Sequence, residues 1–339
     1  MRAPPPPPVV APPFRSRLNP HHPTVAMESL SWAARFGLTA DPTTTGRLGR
    51  ANAAELASRA GPAAGKDGLR LLSDLITWLF ALDDVCDEDG SGADPGRLSP
   101  LLSPLMQTLD HLGDDVAGCS ASPPPLAAAL GDICRRIRQQ GHPGTLLRFA
   151  ALLHHYLFAL IWEAGNRHDG RVPAVAEYVQ MRRHSGAVLP SFALTDLAVD
   201  GLPQTRHRVD QRLVRLNTVA ADLVCWCNDL FSYSKEYGHD PHNLATVIAY
   251  ETGHDPAAAL VEAADRFNDG LALYLRLERD VLTDAPPAVV RYVDTRRCWI
   301  RGTYDWSRNS TRYQWNDALP MDSGAMPPAA TDVSRRVPR

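Results

Sequence analysis

Asn228, Ser232 and Glu236 follow one another at four-residue intervals in the stretch CWCNDLFSYSKEYGHD, which also carries Asp229 and Lys235. On a helix each four-residue step turns the side chain by only about 40°, so amide, hydroxyl and carboxylate form one stripe roughly 12 Å long. Ser and Asn are mediocre residues for a helix interior, so their presence asks for a compensating reason. A divalent cation held by three oxygens supplies one. A second string, LITWLFALDDVCDEDG, sets Asp83, Asp84, Asp87 and Glu88 directly after an apolar run. Asp83 and Asp87 lie one helical turn apart and share a face. Acids at a helix C-terminus oppose the macrodipole and repel one another. The string is therefore either a solvated helix end or a cation site. Hard oxygen ligands suit magnesium, which takes one or two carboxylates and completes its shell with water and substrate phosphate.

Two such clusters on separate helices can hold several magnesium ions around a polyanion, for which a pyrophosphate is the natural candidate. The elements that carry them are helical. Segments such as DGLRLLSDLITWLFALDDV, TLLRFAALLHHYLFALIWEA and DPAAALVEAADRFNDGLALYLRLERDVL repeat apolar residues every three or four positions and are too long for strands. Several follow Asp, Thr or Pro and stop at Gly or Pro. Alternating strand patterns and internal repeats are absent. The pattern predicts one all-α domain of about ten helices over residues 21–318. A Pro-rich, extended or disordered stretch at 1–20 precedes it, and an unstructured tail at 319–339 follows. Helices that are apolar nearly all round belong in the middle of a bundle or around a buried apolar cavity. A greasy cavity beside a pyrophosphate site points to isoprenoid diphosphates.

Composition limits the alternatives. A net charge of −3 on 339 residues gives no field suited to nucleic acid. The six Cys form no CxxC pair, which fits buried thiols in a reducing compartment. The Pro-interrupted N-terminus lacks a signal-peptide core, and no run of about 18 apolar residues predicts a membrane span. A cytoplasmic protein is expected.

The chain resembles the bacterial class I terpene synthases (terpene cyclases). DDVCD matches their aspartate-rich motif, NDLFSYSKE their Asn-Asp-x-x-Ser-x-x-x-Glu motif, and STRY their C-terminal Arg-Tyr pair, with CWIRGTYDWSRN as its Trp-rich lead-in. The resemblance runs from about Asn19 to Tyr313. It implies that Asp83, Asp84 and Asp87 form one metal cluster, with Asp84 accepting from a basic group, and that Asn228, Ser232 and Glu236 hold another magnesium. Three Mg2+ ions are implied in all. Lys235, Arg312 and Tyr313 donate to the diphosphate. A sensing Arg stands 46 positions ahead of the Asn in this family, and here that position is Arg182. Gly186 is the residue that turns its carbonyl to the substrate; independently, Pro190 lacks the N–H that this carbonyl would accept from, which makes a kink at Gly186 natural. The position between them is commonly Asp in the family and is Ser185 here, so the linker role is in question.

The implied reaction is ionisation of a linear isoprenyl diphosphate, farnesyl diphosphate in the first instance, followed by cyclisation to a sesquiterpene. Phe80 and Trp306 are the aromatics expected to face the migrating cation. Geranylgeranyl diphosphate is the alternative substrate, and a homodimer is the usual assembly in the family. A prenyl-elongating synthase would need a second Asp-Asp-x-x-Asp in place of NDLFSYSKE. A non-catalytic helical binding protein would leave the order of the three motifs unexplained.

Overall fold

The computed structural model describes residues 11–39, 41–88, 90–114, 123–140, 143–201, 207 and 209–310, with the side chains of 87, 88 and 143 outside that set. Among these residues the regular structure is entirely helical. In chain order the helices are α1 (His22–Arg35), α2 (Pro42–Ala51), α3 (Ala53–Ala60), α4 (Lys66–Glu88), α5 (Pro95–Asp110), α6 (Pro125–Gln139), α7 (Pro143–His168), α8 (Val175–Ser185), α9 (Val188–Ala198), α10 (Gln211–Glu236), α11 (Leu244–Thr252), α12 (Pro256–Leu282) and α13 (Pro287–Asn309). That is more segments than the ten expected, because short pairs such as α2/α3 and α8/α9 are broken helices. Asn52 and Ala187 adopt left-handed backbone at those two breaks, with φ of 48° and 51°.

Helix starts follow the expected chemistry. Asp41, Asp94, Asp210, Asn243 and Asp255 each accept a backbone N–H in the first turn of the helix they precede, satisfying donors that the helix cannot use itself. Five long helices, α4, α7, α10, α12 and α13, form the bundle, with α10 packed on both α12 and α13, and α4 on α3 and α9. Gly302 permits the close crossing of α13 and α3, since a Cβ there would lie 2.9 Å from the Arg59 Cβ.

One buried pair ties three helices together. Arg296 on α13 bonds both carboxylate oxygens of Asp196 on α9 and, at 2.9 Å, Oδ1 of Asn217 on α10. Both charged side chains are fully buried, and the guanidinium carbon lies 3.7 Å from the ring centre of Tyr292 and 4.4 Å from that of Phe192. All three guanidinium nitrogens thus donate to an acceptor, as burial of a charge requires.

Two expectations are corrected. Residues 11–20, expected to be extended or disordered, are docked on the bundle. Buried Asn19 donates to the carbonyls of Gly61 and Ala64, Arg17 pairs with Asp294 at 2.7 Å, and Arg301 donates to the carbonyls of Pro12 and Phe14. The segment belongs to the fold rather than preceding it. Secondly, the stretch Gly144–His168 does reach the length and mean hydropathy, 1.4, of a membrane span. It nevertheless packs among α5, α8 and α9 as a helix of the bundle.

Candidate active site

A cavity of about 490 Å³ opens between α4, α7, the α8–α9 break, α10 and α13. Part of its wall is apolar, with Ile76, Leu79, Phe80, Leu160, Val188, Val224 and Trp299. Its mouth is polar, with Asp83, Arg182, Asn228, Lys235 and Glu236. The two motifs therefore meet at one end of one space, as their spacing on α4 and α10 requires.

Each predicted residue has a definite place. Asp83 is exposed at the mouth, whereas Asp84, one residue on, is turned into the protein and buried. Asp87 lies on α4, but its side chain falls outside the described residues, as do Arg312 and Tyr313 entirely. Lys235 is exposed at the rim. Asn228 and Glu236 line the cavity from the same stripe of α10. Ser232, between them, is buried with its Oγ 3.5 Å from the carbonyl oxygen of Asp229 and is absent from the lining. Trp306 is corrected: it stands one layer behind the wall. Its ring stacks on Phe80 at 5.8 Å and its Nε1 donates to the carbonyl of Ala51, so Phe80 alone of the two faces the cavity.

Arg182 is the most constrained of these groups. Its Nη2 donates to Oδ1 of Asn228 at 3.0 Å, and its Nε and Nη2 donate to Oδ1 of Asp229 at 3.0 and 2.8 Å. Asp229 also accepts from the Tyr178 hydroxyl at 2.7 Å and from the Leu244 amide. Burial works against the Arg182 charge, but the Asp229 carboxylate more than offsets it and holds the guanidinium well above its ordinary pKa. A permanent positive charge is thereby fixed against the first residue of the α10 motif. The neighbouring Arg183 turns the other way, to Asp222 at 2.6 Å.

Gly186 ends α8, and Ala187 reverses the chain into α9. Pro190 sits in the first turn of α9, with no N–H for the Gly186 carbonyl. Glycine is needed here by proximity, since a Cβ would lie 2.7 Å from Cys225 Sγ on α10 and 3.0 Å from the Arg182 carbonyl oxygen. The Cys225 thiol donates to that same carbonyl at 3.4 Å, and its burial pushes its pKa up to about 12, so it stays protonated. At the far end of the stripe, Glu236 accepts from Asn243 at 2.9 Å. Burial pushes its carboxyl up to about 7.

The donor set fits a hard divalent cation: carboxylate and amide oxygens from two helices line one cavity. A half-buried carboxylate that burial leaves reluctant to ionise gains most from a cation beside it. Sequence reasoning missed Asp229, Tyr178, Asn243 and Cys225. Tyr178 lies one turn before Arg182 and Asp229 directly after Asn228, so adjacency was visible. Their pairing across 51 residues was not.

The family description "Terpene synthase family 2, C-terminal metal binding" matches residues 74–272, which span both motifs and the α8–α9 break. The chain belongs to this terpene synthase family. Curated relatives include a (+)-T-muurolol synthase that cyclises (2E,6E)-farnesyl diphosphate, from Roseiflexus castenholzii, 36% identical over 89% of this chain and 92% of the relative. A 4-epi-cubebol synthase from Streptosporangium roseum, which cyclises the same diphosphate, is 34% identical over 89% of this chain and 90% of its own. Among solved structures, an SVS_A2 protein from ancestral sequence reconstruction superposes with a TM-score of 0.82 at 26% identity, covering 89% of each chain. A point mutant of cucumene synthase gives 0.76 at 28% identity, over 89% of this chain and 99% of its own. In this terpene synthase the matched region begins at Asp74, a buried carboxylate bonded by Arg70 and Arg136, about two and a half turns before the aspartate-rich motif on the same helix.

Proposed function

We propose that this terpene synthase ionises farnesyl diphosphate with the aid of magnesium and cyclises the resulting allylic cation to a sesquiterpene, releasing diphosphate. The observation that carries this reading is the division of one cavity into a mouth of hard oxygens and fixed positive charge and a body of apolar and aromatic wall. Asp83 with Asp87 from α4, and Asn228, Ser232 and Glu236 from α10, would hold the three ions expected. Bound there, the ions would neutralise the charge that grows on the leaving diphosphate.

The chain's own groups divide the remaining work. Arg182, held by Asp229, which Tyr178 holds in turn, presents a guanidinium that does not need to reorganise as the carbon–oxygen bond to the diphosphate breaks. Lys235 at the rim would add a donor, and Arg312 and Tyr313, outside the described residues, would add two more. The kink at Gly186 frees a carbonyl dipole beside the reacting carbon. Phe80, backed by Trp306, offers a π-face to positive charge, and the apolar wall folds the chain while excluding bulk water. Farnesyl diphosphate is preferred because the relatives at 34–36% identity are described as cyclising it. The relatives' products include both alcohols, such as muurolol and cubebol, and hydrocarbons, such as cadinene, so the last step has to be read from this chain. A homodimer is proposed as the assembly.

The test is a product assay. The protein would be incubated with geranyl, farnesyl and geranylgeranyl diphosphate in turn, each with magnesium and with chelator, and extracts analysed by gas chromatography–mass spectrometry. A magnesium-dependent cyclic product from farnesyl diphosphate is expected. Cyclic product from geranylgeranyl diphosphate alone would make it a diterpene synthase, and longer linear diphosphates would overturn cyclisation.

A further inference from the structure

Serine and threonine hydroxyls in this bundle have a common habit. Ser31, Thr77, Thr108, Ser191, Thr195 and Thr252 each donate to the carbonyl four residues earlier in their helix, which is how such residues satisfy themselves inside helices. Among the described residues five buried hydroxyls, Ser58, Ser185, Thr246, Thr303 and Ser307, have no partner at all, and two of the five stand in the cavity wall. Thr303, in the middle of α13, does not bond the Trp299 carbonyl, and Ser185, the last residue of α8, does not bond that of Met181. Both line the cavity. Both are more than nine-tenths buried, at 3% and 8% exposure, and neither Oγ has a hydrogen-bond partner. Buried hydroxyls are almost always paired. An apolar hydrocarbon chain cannot pair them, whereas a water molecule can.

We propose that Thr303 and Ser185 hold ordered water inside the cavity and that this water captures the final carbocation, so that the product is a cyclic sesquiterpene alcohol. The inference rests on the reading in the preceding subsection. A hydroxyl that accepts one hydrogen of the water leaves an oxygen lone pair free toward the cation. The water oxygen forms the new C–O bond, and one of its O–H bonds breaks with the electron pair staying on oxygen. The proton passes to the diphosphate released in the ionisation step, a basic group at the mouth on the side where Ser185 joins Arg182 through α8. Water confined to two fixed hydroxyls can be excluded from the early cations yet remain available to the last one. Thr303 and Ser185 are thus positioning residues for the terminal step.

The test reads the source of oxygen and the ratio of alcohol to hydrocarbon, both independent of rate. Wild-type protein turned over with farnesyl diphosphate in 18O-water should give an alcohol two mass units heavier, and Thr303→Val should lower the alcohol fraction at least fivefold, with a further fall on adding Ser185→Ala. Thr303→Ser should retain the alcohol. A crystal of the ligand-free wild type should show ordered water within hydrogen-bonding distance of each hydroxyl. An exclusively hydrocarbon product, an unlabelled alcohol, or an alcohol fraction unchanged in the double variant would overturn the inference while leaving cyclisation standing. Failure to turn over any prenyl diphosphate would overturn both.

Discussion

Gly186→Ala would test whether α10 holds the break between α8 and α9. The added Cβ stands 2.7 Å from Cys225 Sγ and 3.0 Å from the Arg182 carbonyl oxygen, against an optimal separation of about 3.5–4.0 Å between carbon atoms. Cys225 is itself buried, at the cavity wall, so its sulfur can relieve the clash only by turning into the cavity. Overpacking of this kind costs about 1–3 kcal/mol. Cys225→Ala removes the nearer obstacle and alone should cost about 1 kcal/mol, a common value for a single substitution. The two changes should therefore not add. The double variant should be more stable than the sum of the singles predicts by about 1–2 kcal/mol, well beyond the ~0.5 kcal/mol scatter of independent sites. Some cost should persist, because the carbonyl oxygen is backbone and is not removed with the sulfur. Urea unfolding of the four proteins, followed by circular dichroism with equal m values, measures the coupling. Additivity within about 0.5 kcal/mol would show that the contact does not govern the break. Gly186→Ala should also weaken diphosphate binding through displaced Arg182, and Cys225→Ala should restore part of it.

Other outcomes follow from the same geometry. Asn228→Ala or Glu236→Gln should lower magnesium-dependent turnover by two or more orders of magnitude, as loss of a group acting only on the developing charge does, while thermal unfolding shifts little; wild-type rates in either variant would sink the metal assignment. Phe80→Ala should redistribute the cyclic products seen by gas chromatography more than it slows diphosphate release, and an unchanged profile would make Phe80 plain packing. Arg296→Met should destabilise by about 3–5 kcal/mol because Asp196 is left charged and buried, and adding Asp196→Leu should recover most of that loss. Denaturant midpoints for the two proteins decide it.

The metal stripe was legible because a four-residue period on a helix drifts by only about 40° per step, which keeps three successive side chains on one side. No tertiary knowledge is needed to see that Asn228 and Glu236 share a face. The layer in which a residue sits is a different matter. Trp306 and Phe80 both looked like cavity aromatics, and only the tertiary stacking of Trp306 on Phe80 puts one ring behind the other. Arg182 came from the family resemblance, while its anchors Asp229 and Tyr178 depend on α8 crossing α10, a contact that no periodicity encodes. Residues 11–20 read as unstructured because their prolines rule out helices. Proline says nothing against an extended segment whose carbonyls and side chains find partners on another helix, as those of Pro12, Phe14 and Asn19 do.

That docked segment has a mechanical consequence. Residues 12–19 fasten to the loop after α3 and to α13 at Asp294 and Arg301, so the opening stretch of the described chain acts as a strap across its closing helix. Strain applied at the strap is delivered to α13, the same rod that carries Trp299 and Thr303 into the cavity wall. A protease cut or a pulled leader at residues 11–20 should loosen the chamber before it loosens the metal-bearing helices α4 and α10. The first casualty of such damage would be fidelity of product rather than the capacity to ionise substrate.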